Sequence, residues 1–412
     1  MRLVVHDYSG HPFQVQLSRE LARRGHDVLH LHCDSYVTGK GSLTRRDADP
    51  PTFAIEPVSL GQRFEKYSFG KRFAQERRYG RLLGERVRDY GPDVVLSSNT
   101  PLFAQSVFRR HLDPATRFVF WQQDVYSVAM GNTARRRLPV VGATVAKMFE
   151  RIERRLLRAS DRIVIISDDF RPILERWGID RERVTVVENW APLSEIEPGS
   201  RRNDWSREHG LDDALVLLYS GTLGLKHNPD LLLQLAVRAA EQSDRNVRVV
   251  VISEGLGADW LAERKRELHL GNLLLLPFQP YDRLPVVLAT ADVLVAILEP
   301  EAGVFSVPSK VLTYHCAGRP ILGAIPPENL AARIMVREGS GLVTDPGDVG
   351  EFVEAAGRLL GDPARRAQMA TNARRYAEKT FDINRIGDEF EAVLLATQQP
   401  PRATIGDGPA PR

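Results

Sequence analysis

The chain has 412 residues, 43% of them hydrophobic and 26% charged, with a formal net charge of +3. That length exceeds one ordinary single-core domain and suits two of about 180 to 200 residues each. The composition is that of a folded globular protein, and no run of 18 apolar residues is free of charge, which argues against a membrane-spanning helix.

His6 and Asp7 interrupt the apolar start too early for a signal-peptide core, so residues 3–6 are expected to form a first strand and the protein to stay in the cytoplasm. Short apolar runs at 28–32, 94–97, 118–121 and 163–167 predict further buried strands, and the periodicity of 14–24 and 78–90 predicts helices. Alternation of this kind implies a parallel sheet covered on both faces. Residues 189–205, with Pro192, Pro198 and Gly199, read as a linker region. The pattern then restarts, with strands expected at 216–220, 247–253, 273–276, 293–297 and 321–324 and helices at 230–242 and 260–268. Two more helices are expected at 364–376 and 386–397, before a tail whose four prolines and two glycines predict disorder. The architecture is therefore α/β, with two doubly wound domains facing each other across a cleft. Residues 1–190 form the first, 191–205 the linker and 206–375 the second; 376–397 are helices packing back on the first domain and 398–412 the tail. Cys33 and Cys316 have no cysteine at a metal or redox spacing and read as core residues in a reducing compartment.

In open parallel sheets ligands bind beyond the carboxyl ends of the strands, so the residues just after strands carry the information. Pro308-Ser309-Lys310 opens a short helix with Ser309 as candidate N-cap, and Gly318 and Pro320 close it. Free N–H groups, a positive dipole end, a hydroxyl and a lysine make that helix start an anion site suited to a diphosphate. Lys226, after Gly221, Thr222 and Gly224, offers a second cation. Glu254 with Gly255 and Gly257, and Phe278, follow neighbouring strands, but the complete dinucleotide fingerprint is absent. In the first domain Gly10 lies in the first strand-to-helix turn, and Asp124, in Trp121-Gln122-Gln123-Asp124-Val125-Tyr126, sits where it could bind sugar hydroxyls or cap a helix. His11, His227 and His315 fall near the cleft without metal-ligand spacing, so no metal site is expected.

At these residues the chain resembles glycosyltransferase family 4, a retaining family with the GT-B fold of two Rossmann-like domains. The resemblance is carried by Leu17-Ser-Arg-Glu-Leu-Ala-Arg-Arg-Gly-His-Asp-Val28, Ala159-Ser-Asp-Arg-Ile-Val-Ile-Ile-Ser167, Val184-Thr-Val-Val-Glu-Asn-Trp190, Tyr219-Ser-Gly-Thr-Leu-Gly-Leu-Lys226 and Pro308-Ser-Lys-Val-Leu-Thr-Tyr-His-Cys-Ala-Gly-Arg-Pro320. It covers nearly the whole chain, and the Pro-Ser-Lys form is similar to the branch that builds exopolysaccharide, colanic acid or O-antigen units. The resemblance implies a sugar-nucleotide donor (a UDP- or GDP-sugar), a glycan or polyprenyl-linked acceptor, no cofactor or metal, and transfer with retention. Lys226, Ser309 and Lys310 would then hold the diphosphate, and Phe278 would lie against the base. The chain departs from the family in two places. Thr222 stands where a basic residue is frequent, and Thr313 stands where the second of two glutamates is usual. Strict spacing would put the first glutamate at Phe305; a longer loop would let Glu301 or Glu299 take the sugar-side role.

Between 135 and 158 eight basic residues face only Glu150 and Glu153, interleaved with apolar ones, which fits either an anionic membrane surface or a solvated helix face. The first of these would place the protein at the inner face of the plasma membrane. Without interleaved aromatics or a recognisable module, nucleic-acid binding is not expected. A sugar-nucleotide epimerase and a non-catalytic nucleotide-sugar-binding protein are the alternatives to a transferase.

Overall fold

A computed structural model of the chain describes residues 1–36, 40–62, 64, 69–137, 140–224, 227–241 and 246–398. Seven parallel strands build the first sheet: β1 (Arg2–Asp7), β2 (Asp27–Cys33), β3 (Phe53–Val58), β4 (Val94–Ser98), β5 (Arg117–Gln122), β6 (Arg162–Ile165) and β7 (Val184–Val186), in the order β3-β2-β1-β4-β5-β6-β7. Six more build the second: β8 (Leu215–Ser220), β9 (Val247–Ile252), β10 (Leu273–Leu276), β11 (Val293–Ile297), β12 (Ile321–Ala324) and β13 (Gly341–Thr344), in the order β10-β9-β8-β11-β12-β13. In each sheet the strand order reverses beside the first strand of the domain, and loops after the central strands open there into a crevice.

Strands buried on both faces are near-continuous apolar runs, as at Val293–Ile297, which is why sequence patterning finds the central ones. Three of the four edge strands escaped it, and only β10 did not. β3 is half exposed and contains Pro57, β7 has three residues, and β13 begins with a glycine. The helices at Pro12–Arg23, Asp230–Glu241 and Ile383–Ala396 lie close to their expected places, whereas the helix expected at 78–90 starts earlier and spans Phe69–Tyr90.

The segment after β7 differs from a polar linker. Trp190, Ala191, Ile196 and Trp205 are buried, and Asn203 forms a capping box on the helix Asp204–Glu208. A single apolar cluster runs from the first sheet through these residues to Cys316 and Ala317 in the second domain. Both cysteines are free and buried. The helix Ile383–Ala396 crosses back to the first domain. There Phe390 meets Trp121 at 4.6 Å between ring centroids, Arg24 pairs with Asp388 and Glu391, and His26 bonds Glu391 at 2.9 Å. Residues 399–412, expected to be a disordered tail, lie outside the described residues.

Candidate active site

A cavity of about 440 Å³ lies between the two sheets, with walls from both domains. On the second-domain side its centre is the helix Ser309–Cys316. Pro308, with extended backbone, is its N-cap and provides no capping side chain, which places Ser309 at the first helical position. Ser309 is therefore not the N-cap expected from sequence. Its hydroxyl caps nothing, and Ser309 and Thr313, four residues apart on one helix face, both line the cavity.

Lys310 is the most unusual group in the wall. Its ammonium nitrogen is buried, lies 3.6 Å from the centroid of the Tyr219 ring, and has no hydrogen-bond partner among the described residues. Burial pushes its pKa well below the ordinary lysine value. Nearly all buried polar atoms in folded proteins are satisfied, so an orphaned amine at an uncapped helix start is chemically suited to an anion. Gly221 makes room for it. At φ +139° a side chain would be strained, and a β-carbon there would stand 3.1 Å from Lys310 Cε and Nζ. The Tyr314 hydroxyl accepts from Ser220 N at 3.1 Å, which ties the end of β8 to the same helix.

Thr222, Phe278 and Asp124 also line the cavity. Lys226, expected as the second cation, lies outside the described residues. Glu254 does not reach the cavity wall; its carboxylate accepts from Phe278 N at 3.3 Å and so positions that loop. Gly10, at φ +74°, is also absent from the wall, because its α-carbon faces Leu43, whose side chain a β-carbon would meet at 2.9 Å.

On the first-domain side His11, placed near the cleft from sequence, meets Asp7 and Asn99, which sequence reasoning did not select. Asp7, fully buried at the end of β1, accepts from Ser9 N at 3.0 Å and from His11 N, and its Oδ1 lies 3.4 Å from His11 Nδ1. Asn99 Nδ2 is 3.2 Å from the same ring nitrogen. His11 and Asn99 line the cavity. Burial pushes the Asp7 carboxyl up, but the His11 ring and N–H outweigh it and leave it at about 2, below the ordinary 3.8. The stability this gives is therefore present above the ordinary value and lost as pH falls through about 2. Chemical denaturation at pH 7 and pH 3 is expected to show wild type losing about 1 kcal/mol from this source, a loss that Asp7→Asn lacks. The signal in the sequence was a carboxylate ending a strand four residues before a histidine, with Pro12 opening the helix between the two domains' facing edges.

Asp124 is held from two sides. The buried carboxylate of Glu153 accepts from Tyr126 N at 3.0 Å, Ser127 N at 2.8 Å and Gln122 Nε2 at 3.1 Å. Glu153 thus satisfies the start of the helix Tyr126–Arg137, the capping role considered for Asp124. From the other domain Asp124 pairs with Ser306 in an isolated antiparallel bridge, and Val125 N donates to Phe305 O at 3.1 Å. Arg333 and Asp169, 2.6 Å apart, add a second clasp between the domains.

Comparison with known proteins agrees with this geometry. The family model described as Glycosyl transferase 4-like domain matches residues 11–190, and the one described as Glycosyl transferases group 1 matches residues 201–376. The chain belongs to glycosyltransferase family 4. It is 29% identical over 286 residues to a D-inositol 3-phosphate glycosyltransferase of Geodermatophilus obscurus, an overlap of 66% of this chain and 58% of that protein. It is 24% identical over 253 residues to WcaI of Escherichia coli strain K12, whose name ascribes it to colanic acid biosynthesis, with 60% of each chain covered. The matched part spans only half to three-fifths of the length of these curated relatives. Among solved structures, Anabaena HepE in complex with UDP and glucose is similar with a TM-score of 0.70 at 15% identity, covering 96% of this chain and 99% of that one. WaaG, a glycosyltransferase involved in lipopolysaccharide biosynthesis, gives 0.68 at 16%, covering 96% and 100%. These likenesses establish the GT-B fold.

Within the family pattern, the glutamate positions are where this chain is least typical. Glu301 sits exposed in a single turn, Pro300–Ala302, and neither it nor Glu299 lines the cavity. The main-chain carbonyl of Glu301 accepts from Asn132 Nδ2 at 3.4 Å, so this turn meets the first domain through its backbone. Phe305, at the strict family spacing, uses its carbonyl for the Val125 contact. Thr313 does line the wall, one helical turn from Ser309.

Proposed function

We propose that the chain is a retaining glycosyltransferase that moves a sugar from a UDP- or GDP-sugar to a glycan or polyprenyl-linked acceptor in surface-polysaccharide assembly. The observation that carries this reading is the buried, unpartnered Lys310 amine at an uncapped helix start inside an interdomain cleft. A diphosphate would complete that site. Lys310 becomes fully charged on binding it, and together with the helix N-terminus stabilises the negative charge that develops as the bond from the anomeric carbon to the phosphate breaks. No metal ion or cofactor is needed for that role. Thr313 and Ser309 offer hydroxyls to the nucleoside and phosphate, and Phe278 borders the base. Asp124, with its main chain clasped to the opposite domain, faces the sugar. Glu301 keeps a sugar-side role only if its turn moves inward when donor binds. Asp7, His11 and Asn99 form the acceptor side, where a carboxylate-oriented imidazole suits hydroxyl binding.

Among the described residues no helix is long and apolar enough to cross a membrane. The reading places the protein in the cytoplasm, at the inner face of the plasma membrane where a lipid-linked acceptor resides. A thermal-shift screen with uridine, guanosine and thymidine diphosphates tests the donor site. One of them is expected to raise the unfolding midpoint, by the equivalent of about 2.7 kcal/mol at a hundred times its Kd. No shift with any of the three would sink the reading, and isomerisation of a nucleotide sugar without acceptor would replace it with an epimerase.

A further inference from the structure

Away from the donor cleft, a second open cavity of about 470 Å³ runs along the outer face of the first domain. Three helices that are far apart in sequence form it: Phe69–Tyr90, Leu102–Arg109 and Gly142–Arg158. Arg77, Arg109, Arg110 and Arg155 line it together with Phe73 and Ile152, and among the described residues no acidic one does. Four guanidinium groups around an apolar floor concentrate positive charge there, relieved within the protein at Arg109, which feels the Asp161 carboxylate and donates to the Ala159 carbonyl. Two of the arginines are partly committed within the protein: the Arg109 guanidinium lies 4.2 Å from the Phe118 ring centroid, and the Arg77 guanidinium 5.5 Å from that of Phe73.

The apolar part continues beyond the cavity. Met148, Ile152, Arg155 and Ala159 fall four, three and four residues apart and so share one helix face. Met148 and Phe73 are 38% and 39% exposed, and Val140, just before this helix, is 92% exposed. Lys147 and Arg151 are exposed beside them. The opposite side of the same helix is ordinary core, with Ala146, Phe149, Leu156 and Leu157 buried. One face of the helix therefore packs the domain, and the other presents arginine and lysine heads around exposed apolar side chains. That combination matches the headgroup region of an anionic bilayer, where phosphates take the guanidinium groups and shallow acyl chain takes the apolar ones.

We propose that this arginine-lined groove and the adjoining Met148 face are the surface by which the protein docks on an anionic phospholipid membrane. The proposal builds on the reading that the acceptor is lipid-linked, and the two fail separately, because docking is read by vesicle binding and the donor site by nucleotide binding. The basic run at 135–137, the first place to look from sequence, contributes Arg135, which bonds Asn132 at 3.3 Å; the side chains of Arg136 and Arg137 lie outside the described residues.

The test is co-sedimentation of the full chain with vesicles of phosphatidylcholine alone or mixed with phosphatidylglycerol. Wild type is expected to bind the mixed vesicles, more weakly at high salt, and to ignore phosphatidylcholine alone. The double variant Arg110→Glu/Arg155→Glu is expected to bind at least tenfold more weakly, and Phe73→Ser several-fold more weakly. Lys265→Glu/Arg266→Glu, on a helix of the other domain, is expected to bind as wild type does. An unchanged unfolding midpoint and nucleotide shift in the double variant show that it is folded. Equal binding by wild type and the double variant, equal binding to both vesicle types, or no vesicle binding at all overturns the proposal. Retention on heparin without vesicle binding also overturns it and assigns the groove to an acidic macromolecule.

Discussion

Lys310→Met is expected to abolish the thermal shift by nucleoside diphosphate, and to lower kcat by about a hundredfold to a thousandfold, the range for removing one preorganised charge-stabilising donor. The same variant is expected to be more stable than wild type without ligand. It replaces a buried amine that has no hydrogen-bond partner with an apolar chain of similar length, relieving a desolvation cost of about 1–3 kcal/mol. Few other substitutions would raise the unfolding midpoint while destroying ligand binding, so the pair of readouts separates a binding lysine from a structural one. The pH dependence follows from the direction of its shift. Burial holds the Lys310 pKa down in the free protein, and a bound diphosphate raises it, so binding takes up a proton. Diphosphate affinity should fall as pH rises through the depressed value, and titration calorimetry in buffers of different ionisation enthalpy should register the proton. Affinity and heat that do not depend on pH or buffer would exclude Lys310 from the site.

The second large effect is expected at the last helix. Phe390 is fully buried, and its ring lies 4.6 Å from Trp121 and 6.0 Å from Trp190; those two indoles stack at 5.9 Å and Phe13 packs on both. Phe390→Ala should cost about 3–5 kcal/mol in denaturant unfolding, the range for emptying a buried aromatic site. It should also free the amides of Ile383–Ala396 to exchange before the rest of the molecule. Asp388→Ala, which removes a partner of Arg24 whose side chain is 72% exposed, should cost less than about 1 kcal/mol. Because Phe13 also lines the cleft, Phe390→Ala should reduce turnover modestly, which Asp388→Ala should not. Comparable losses from the two substitutions would mean that the charges, rather than the aromatic cluster, hold the helix.

The central strands and the main helices follow from local pattern. Runs such as Val293–Ile297 and amphipathic stretches such as Pro12–Arg23 announce themselves within a few residues, because period and burial are set by the element itself. The helix start at 308–310 was legible for the same reason, as was its closure at Gly318, which takes φ +59°. Edge strands were less legible, since one exposed face dilutes the pattern. Of the site, Lys310 could be picked from the sequence, but its burial against Tyr219 and the space left by Gly221 could not. Those depend on a strand and a helix some 90 residues apart, joined by the Tyr314 bond to Ser220.

Sequence by itself therefore determined the alternation of strand and helix, the restart that makes two domains, and the family whose motifs lie on both. Tertiary structure decided which polar groups face the cleft. It brought Asp7, His11 and Asn99 together from two strand ends, turned Glu254 to hold a loop, and left the Glu301 turn exposed against the other domain. It also joined arginines from three helices into one groove. Parallel sheets pair strands through crossovers of 16 residues and more, so groups from different strand ends, such as Asp7 and Asn99, are far apart in the chain, and no local period encodes their meeting.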